Sequence, residues 1–153
     1  LKQRYIHTRF WNDKKVRACT WCEKLVLEYF QLCPEMTIIG AATTTLEKVE
    51  IMINGESRRN YITPEFPWIE AKHVDKALNS IRKRGIIDIQ NKAGLTVYFY
   101  NFLHYNPWGP SVYKSFPDLV DNQVPEGPIQ SVIIEHSIRW MKKLRVEIPE
   151  AWR

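Results

Sequence analysis

The stretch HVDKALNSIRKRGIIDIQNKAGLTVYFYNF, residues 73–102, changes period part-way along. On its N-terminal side, Ala71, Val74, Ala77, Leu78 and Ile81 fall on one stripe of a 3.6-residue helix. Lys72, Lys76, Asn79 and Lys83 fall on a second stripe. Gly85 suits the left-handed position that ends a helix, because it has no Cβ to clash there. Beyond it, IIDIQ and LTVYFYNF flank NKAG, a short run of turn formers. That pattern reads as a β-hairpin over 86–102, directly after a helix over 69–84.

The rest of the chain supplies what this pair packs against. RYIHTRFW, residues 4–11, alternates and is aromatic, which predicts a short strand. Thr20 is placed to cap a helix over 20–32, with Glu23 at the capping-box spacing. Pro34 stops that helix, since the residue before a proline avoids the α region. TIIGAA at 37–42 reads as a short strand. Residues 43–53 read as a second helix capped by Thr44 or Thr45 and ended by Asn54-Gly55. Residues 54–68, rich in proline and polar groups, read as a long loop. Alternation along 97–102 puts Val97, Phe99 and Asn101 on one face and Tyr98, Tyr100 and Phe102 on the other. One face must pack on the helices, so these aromatics are expected in the core rather than stacked on bases. After Tyr105 the chain becomes proline-rich and irregular until a helix over 129–144, whose basic end suits the helix dipole. The expected organisation is therefore a domain over 1–106 and, over 107–153, a proline-rich linker plus a C-terminal helix. The expected fold class is α+β: a winged helix-turn-helix of three helices plus a hairpin wing, with a C-terminal helical extension.

In that architecture the third helix enters the major groove and the hairpin lies beside the neighbouring backbone. The stripe then acquires a purpose. Lysines meet phosphates or guanine edges, and asparagine can hold adenine through two hydrogen bonds. Lys72, His73, Lys76, Asn79, Arg82, Lys83 and Lys92 are the candidate DNA-binding residues, with Arg84 extending the basic patch and Lys92 at the wing tip. The competing reading is that any amphipathic helix needs a solvated face and that winged helices also serve as protein-docking modules.

Composition fits without deciding. The 153 residues suggest one domain, 44% of them apolar, and carry a formal net charge of +5, which favours an anionic partner. No apolar run reaches the ~18 residues of a membrane span. An odd set of cysteines, Cys19, Cys22 and Cys33, points to a reducing, cytoplasmic setting. One C-x-x-C cannot supply the four ligands of a structural zinc site, so the cysteines are expected to behave as small hydrophobes. His104 is expected to be a packed or surface histidine. No catalytic constellation, cofactor motif or metal site is evident; a non-catalytic protein is expected.

RYIHTRFWNDKKVRACTWCEKLVLEYFQLCPEMTIIGAATTTLEKV, then HVDKALNSIRKRGIIDIQ and YFYNFLHYNP, together resemble the N-terminal winged-helix domain of phage replisome organizers. These are replication-initiation proteins of phages and prophages, distantly similar to DnaD-type primosome proteins. The resemblance covers residues 4–107 and rests on order and spacing. It implies binding of double-stranded origin DNA, recruitment of the replicative helicase or its loader, and a DNA-contacting helix over 69–84 with a wing over 86–102. Self-association is also expected, because one small domain rarely binds an origin alone. The alternatives are a winged-helix transcriptional repressor and a protein-interaction module that touches no DNA.

Overall fold

A computed structural model of the chain describes residues 8–55 and 68–153. Its first elements depart from expectation. Thr8–Asn12 is a helical turn (α1), followed by a second, Lys14–Arg17 (α2), which Asp13 caps through the Lys15 N–H at 2.8 Å. The strand expected over 4–11 is therefore not formed by its described half. Phe10 is instead turned inward, edge-on to Tyr105 with ring centres 5.8 Å apart and 6.1 Å from Phe99. A single helical turn buries this ring without requiring a strand partner.

The first long helix is Trp21–Leu32 (α3), with Thr20 accepting from the Glu23 N–H at 3.2 Å. Strand β1 runs Ala41–Thr44, later than the β-branched run TII suggested. Residues 37–40 form a turn instead, closed by the Gly40 N–H on the Thr37 carbonyl at 3.2 Å. Gly40 sits at φ +87°, and a Cβ there would fall 2.5 Å from Phe102, so the turn requires glycine. Helix α4, Leu46–Asn54, follows behind its Thr45 cap and ends at Gly55, φ +75°. The loop expected over 54–68 lies almost wholly outside the described residues. Helix α5 is Ala71–Lys83, and its stripe of Val74, Ala77, Leu78 and Ile81 is buried.

The hairpin follows as β2, Ile87–Asn91, and β3, Leu95–Phe99. The sheet is antiparallel in the order β1-β3-β2, with Val97 opposite both Ala42 and Ile89. Every residue of β3 is buried, so both of its faces are covered. Helix α3 packs on α4 and α5, and α5 packs on β2.

Residues after 99 are more helical than proline content suggested. Phe102–Tyr105 (α6), Pro110–Tyr113 (α7) and Phe116–Gln123 (α8) precede the long helix Pro128–Lys143 (α9). The prolines of α7, α8 and α9 stand in the first turn, where the missing N–H costs nothing. Helix α9 lies over the hairpin: the His136 ring sits 5.8 Å from Tyr98 and 5.0 Å from Tyr100. Gln90 of β2 accepts the Ile129 N–H at 3.1 Å and donates to the Pro125 carbonyl at 3.3 Å. Tyr113, Phe116, Val120, Ile129, Ile133 and Met141 join the same buried cluster as α3, α5 and the sheet. The molecule is thus an α+β fold on a small antiparallel sheet, and no described helix is long and apolar enough to cross a membrane.

Candidate nucleic-acid interface

Helix α5 carries the candidate residues, and its outward direction follows from its buried stripe. Lys72, Lys76, Asn79 and Lys83 lie within about 40° of one line along the helix, opposite Val74 and Ile81, and all four are exposed. Neighbours along that line are roughly 6 Å apart, close to the spacing of successive phosphates on one DNA strand.

Several of these side chains already have work within the fold. Lys72 pairs with Glu70 at 3.0 Å, and that contact holds the Glu70 carboxyl below its ordinary range. His73 accepts the Glu70 N–H on Nδ1 at 3.1 Å. This caps the helix start and commits Nδ1 as an acceptor. Asn79 turns its amide back to the Asp75 carbonyl at 2.9 Å. Arg82 pairs with Asp88 of β2 at 3.2 Å, which ties the helix to the hairpin. Lys76 and Lys83 are the exposed cations of the stripe that make no ion pair among the described residues.

Arg84 does not extend the basic patch. It turns inward to Glu23 at 2.9 Å, and Ser80 donates to the same carboxylate at 3.1 Å. Burial alone would raise the Glu23 carboxyl, but hydrogen bonds from Arg84, Cys19 and Ser80 outweigh it and hold it low. Glu23 therefore does not close a capping box with Thr20; it reaches across to α5. Burial, with this carboxylate beside it, pushes the Cys19 thiol up to about 11. Such a thiol stays protonated at neutral pH and is a poor nucleophile or metal ligand. Cys19 and Cys33 are buried, and no group of three or more metal-ligating side chains gathers among the described residues.

Lys92 stands exposed on the hairpin turn, residues 92–94, where Ala93 and Gly94 take φ of 53° and 99°. A Cβ on Gly94 would lie 3.0 Å from the Thr44 carbonyl, so the turn rests against the end of β1. The hairpin is short and close to the body of the molecule.

Aromatic side chains near the stripe are mostly committed elsewhere. Tyr98, Phe99 and Phe102 are buried, and Trp108 donates to the Ile38 carbonyl at 2.7 Å. His104 is exposed and stacks on Trp140 with ring centres 5.3 Å apart, while Lys143 lies over the same indole at 4.7 Å. Trp21, 62% exposed at the start of α3, is the exception. It borders a groove of about 490 Å³ shared with Trp68, His73, Lys76 and Ser80.

Two features of this region were invisible in the sequence. One is the Glu23–Arg84 bridge, whose partners are separated by 61 positions. The other is Asn54. It is buried, accepts the Ile69 N–H at 2.9 Å and donates to the Ile69 carbonyl at 2.7 Å, so it joins the end of α4 to the approach to α5. Asn-Gly reads locally as a helix stop, which hides that second role.

No family model, curated protein or solved structure matches the chain.

Proposed function

We propose that the protein is a winged-helix DNA-binding protein that acts without catalysis, with α5 in the major groove and the β2–β3 hairpin as its wing. One observation carries this reading. The elements α3, β1, α4, α5, β2 and β3 follow one another in the winged-helix order on a β1-β3-β2 sheet, and the outward stripe of α5 bears Lys72, Lys76, Asn79 and Lys83. A helix that presents three lysines along one solvent-facing line fits a groove wall of phosphates, and Asn79 lies on the same line for a base edge once its amide leaves the Asp75 carbonyl. The net charge of +5 supports it through counterion release. A role in phage-type replication initiation, with a helicase or loader as partner, rests on the resemblance of residues 4–107 alone.

The ion pairs of Lys72 and Arg82 do not oppose the reading. The Lys72–Glu70 pair is exposed on both sides, contributes little and exchanges readily for a phosphate, whereas Arg82 is held by the half-buried Asp88 and is the weaker candidate. The test is duplex binding by fluorescence anisotropy across a salt series, for the wild type and Lys72→Ala/Lys76→Ala/Lys83→Ala. The expected result is a steep salt dependence that flattens by about one unit of slope for each lysine that meets a phosphate. Equal binding by the variant, or none by the wild type, would remove α5 as a reading helix and leave a protein-docking module.

A further inference from the structure

Large apolar side chains are exposed at few places on the described surface: Trp21, Leu32, Ile51, Met52 and Leu144. Four of these five belong to α3 and α4. On α3 the residues Trp21, Leu25, Glu28 and Leu32 are spaced 4-3-4, the seam spacing of a helix that packs against another helix. The stripe carries a knob at one end and a hole at the other. The knob is the Trp21 indole, 62% exposed. The hole is a groove of about 330 Å³ between Leu25, Tyr29 and Leu32 of α3 and Met52 and Ile53 of α4.

We infer that this face is the contact between two copies of the chain, with their α3 helices antiparallel about a two-fold axis. The numbering of the seam is self-complementary. An antiparallel two-fold through the middle of α3 sets Trp21 against Leu32 of the second copy and Leu25 against Glu28. Each indole then seats in the other chain's groove, and the contact closes on itself as a two-fold requires. Buried aromatic anchors of this kind dominate the binding energy of small interfaces.

Charge complementarity fixes the direction. Lys24 and Glu28 make no ion pair among the described residues. Within one helix, lysine preceding glutamate by four residues is the weaker order. In the antiparallel pair, Lys24 of each chain reaches Glu28 of the other, giving two symmetric ion pairs across the middle of the seam, between its two apolar ends. A parallel pairing would set Glu28 on Glu28. A contact one short helix long falls at the low end of specific interfaces, about 1,200 Å² in total. Contacts of this size are weak and transient ones, so the association is sought at roughly micromolar concentration and above. Trp21 also borders the groove lined by His73 and Lys76 of α5, and the inference is read from mass alone, whatever those residues bind.

Sedimentation of the whole chain from about 1 to about 200 µM tests it. The mass should rise from that of one chain, 18.2 kDa, toward twice that value. Leu32→Glu and Trp21→Ala, both at exposed positions, should each weaken dimerisation by about 30-fold or more, with a melting temperature unchanged at concentrations where the wild type is also monomeric. Lys24→Glu and Glu28→Lys should each weaken it singly, and the double exchange should restore it. A chain that stays monomeric throughout would overturn the inference. So would a dimer indifferent to Trp21 and Leu32, or one in which the charge exchange fails to restore association. Loss of DNA binding by Trp21→Ala without any change in mass would also overturn it, by assigning the indole to nucleic acid.

Discussion

At the scale of single residues, Glu23 shows how far a side chain's role can lie from its local pattern. Its position three after Thr20 suggests a capping box, yet only the Thr20 half of that motif forms. Glu23 is 5% exposed, and its carboxylate is held by Ser80 of α5 and by Arg84 at that helix's C-terminal cap. Two charge-assisted bonds to a buried carboxylate are enough to keep it ionised against the cost of burial. The consequence for acid stability has a definite sign. A carboxyl whose folded value lies below the ordinary 4.5 contributes stability that is fully present above that value. The contribution is lost as pH falls through the lowered folded value. Glu23→Gln should cost about 1.5–3 kcal/mol at neutral pH, a fall in melting temperature of about 3–12 °C. Below about pH 4 the gap between variant and wild type should narrow, because protonation removes in the wild type what the substitution has already removed. Melting curves from pH 7 to pH 3 check this, and a gap that stays constant would show that Glu23 does not titrate with folding.

At the scale of elements, legibility followed the range of the forces involved. Helices α3, α4, α5 and α9 were readable because burial repeats along them at helical spacing and Thr20, Thr45 and Gly55 mark their ends locally. The hairpin was readable for the same reason, from turn formers between alternating runs. Strand β1 was displaced because Thr37, Ile38 and Ile39 favour extended backbone intrinsically. The close approach of Phe102 to Gly40, a contact between distant positions, decides that a turn comes first. Helices α7 and α8 were missed because proline in a first turn looks like proline in a loop until the packing of Tyr113 and Phe116 is known. The basic stripe of α5 was legible as a pattern, but the inward turn of Arg84 depends on Glu23 and was not. The junction of α4 and α5 belongs to the same class. Asn54 bonds Ile69 through both its oxygen and its nitrogen, so Asn54→Ala strands a buried N–H and a buried carbonyl together. A loss of about 2–4 kcal/mol is expected, and the Ile69 amide should exchange with solvent much faster than in the wild type. Unchanged protection at Ile69 would mean that other groups hold this junction.

At the scale of the whole molecule, the remaining question is what the segment 107–153 does for the part that precedes it. A proline-rich linker with a trailing helix would leave the rest of the fold intact when removed. The observed packing gives a different expectation. Tyr98 of β3 is 1% exposed, and the ring of His136 from α9 lies beside it. Tyr113, Phe116, Ile129 and Ile133 are each 1% exposed or less within the cluster that also holds α3 and α5. Gln90 binds the backbone on both sides of Gly127, so the start of α9 is fastened to β2 at one place. Removing residues 107–153 would return Tyr98 and its neighbours to water. Each large apolar side chain uncovered costs about 1.5–3 kcal/mol, and uncovering only a few approaches the 5–15 kcal/mol that holds a typical domain together. The fragment 1–106 should therefore lose its cooperative thermal transition and expose apolar surface to a dye such as ANS. It should also lose any DNA affinity that depends on a fixed α5 and hairpin. A fragment that melts in one sharp transition and binds as the full chain does would instead make 107–153 a separable extension. The β2–β3 hairpin would then hold its shape without α9, and α9 would be free to serve a partner rather than the sheet.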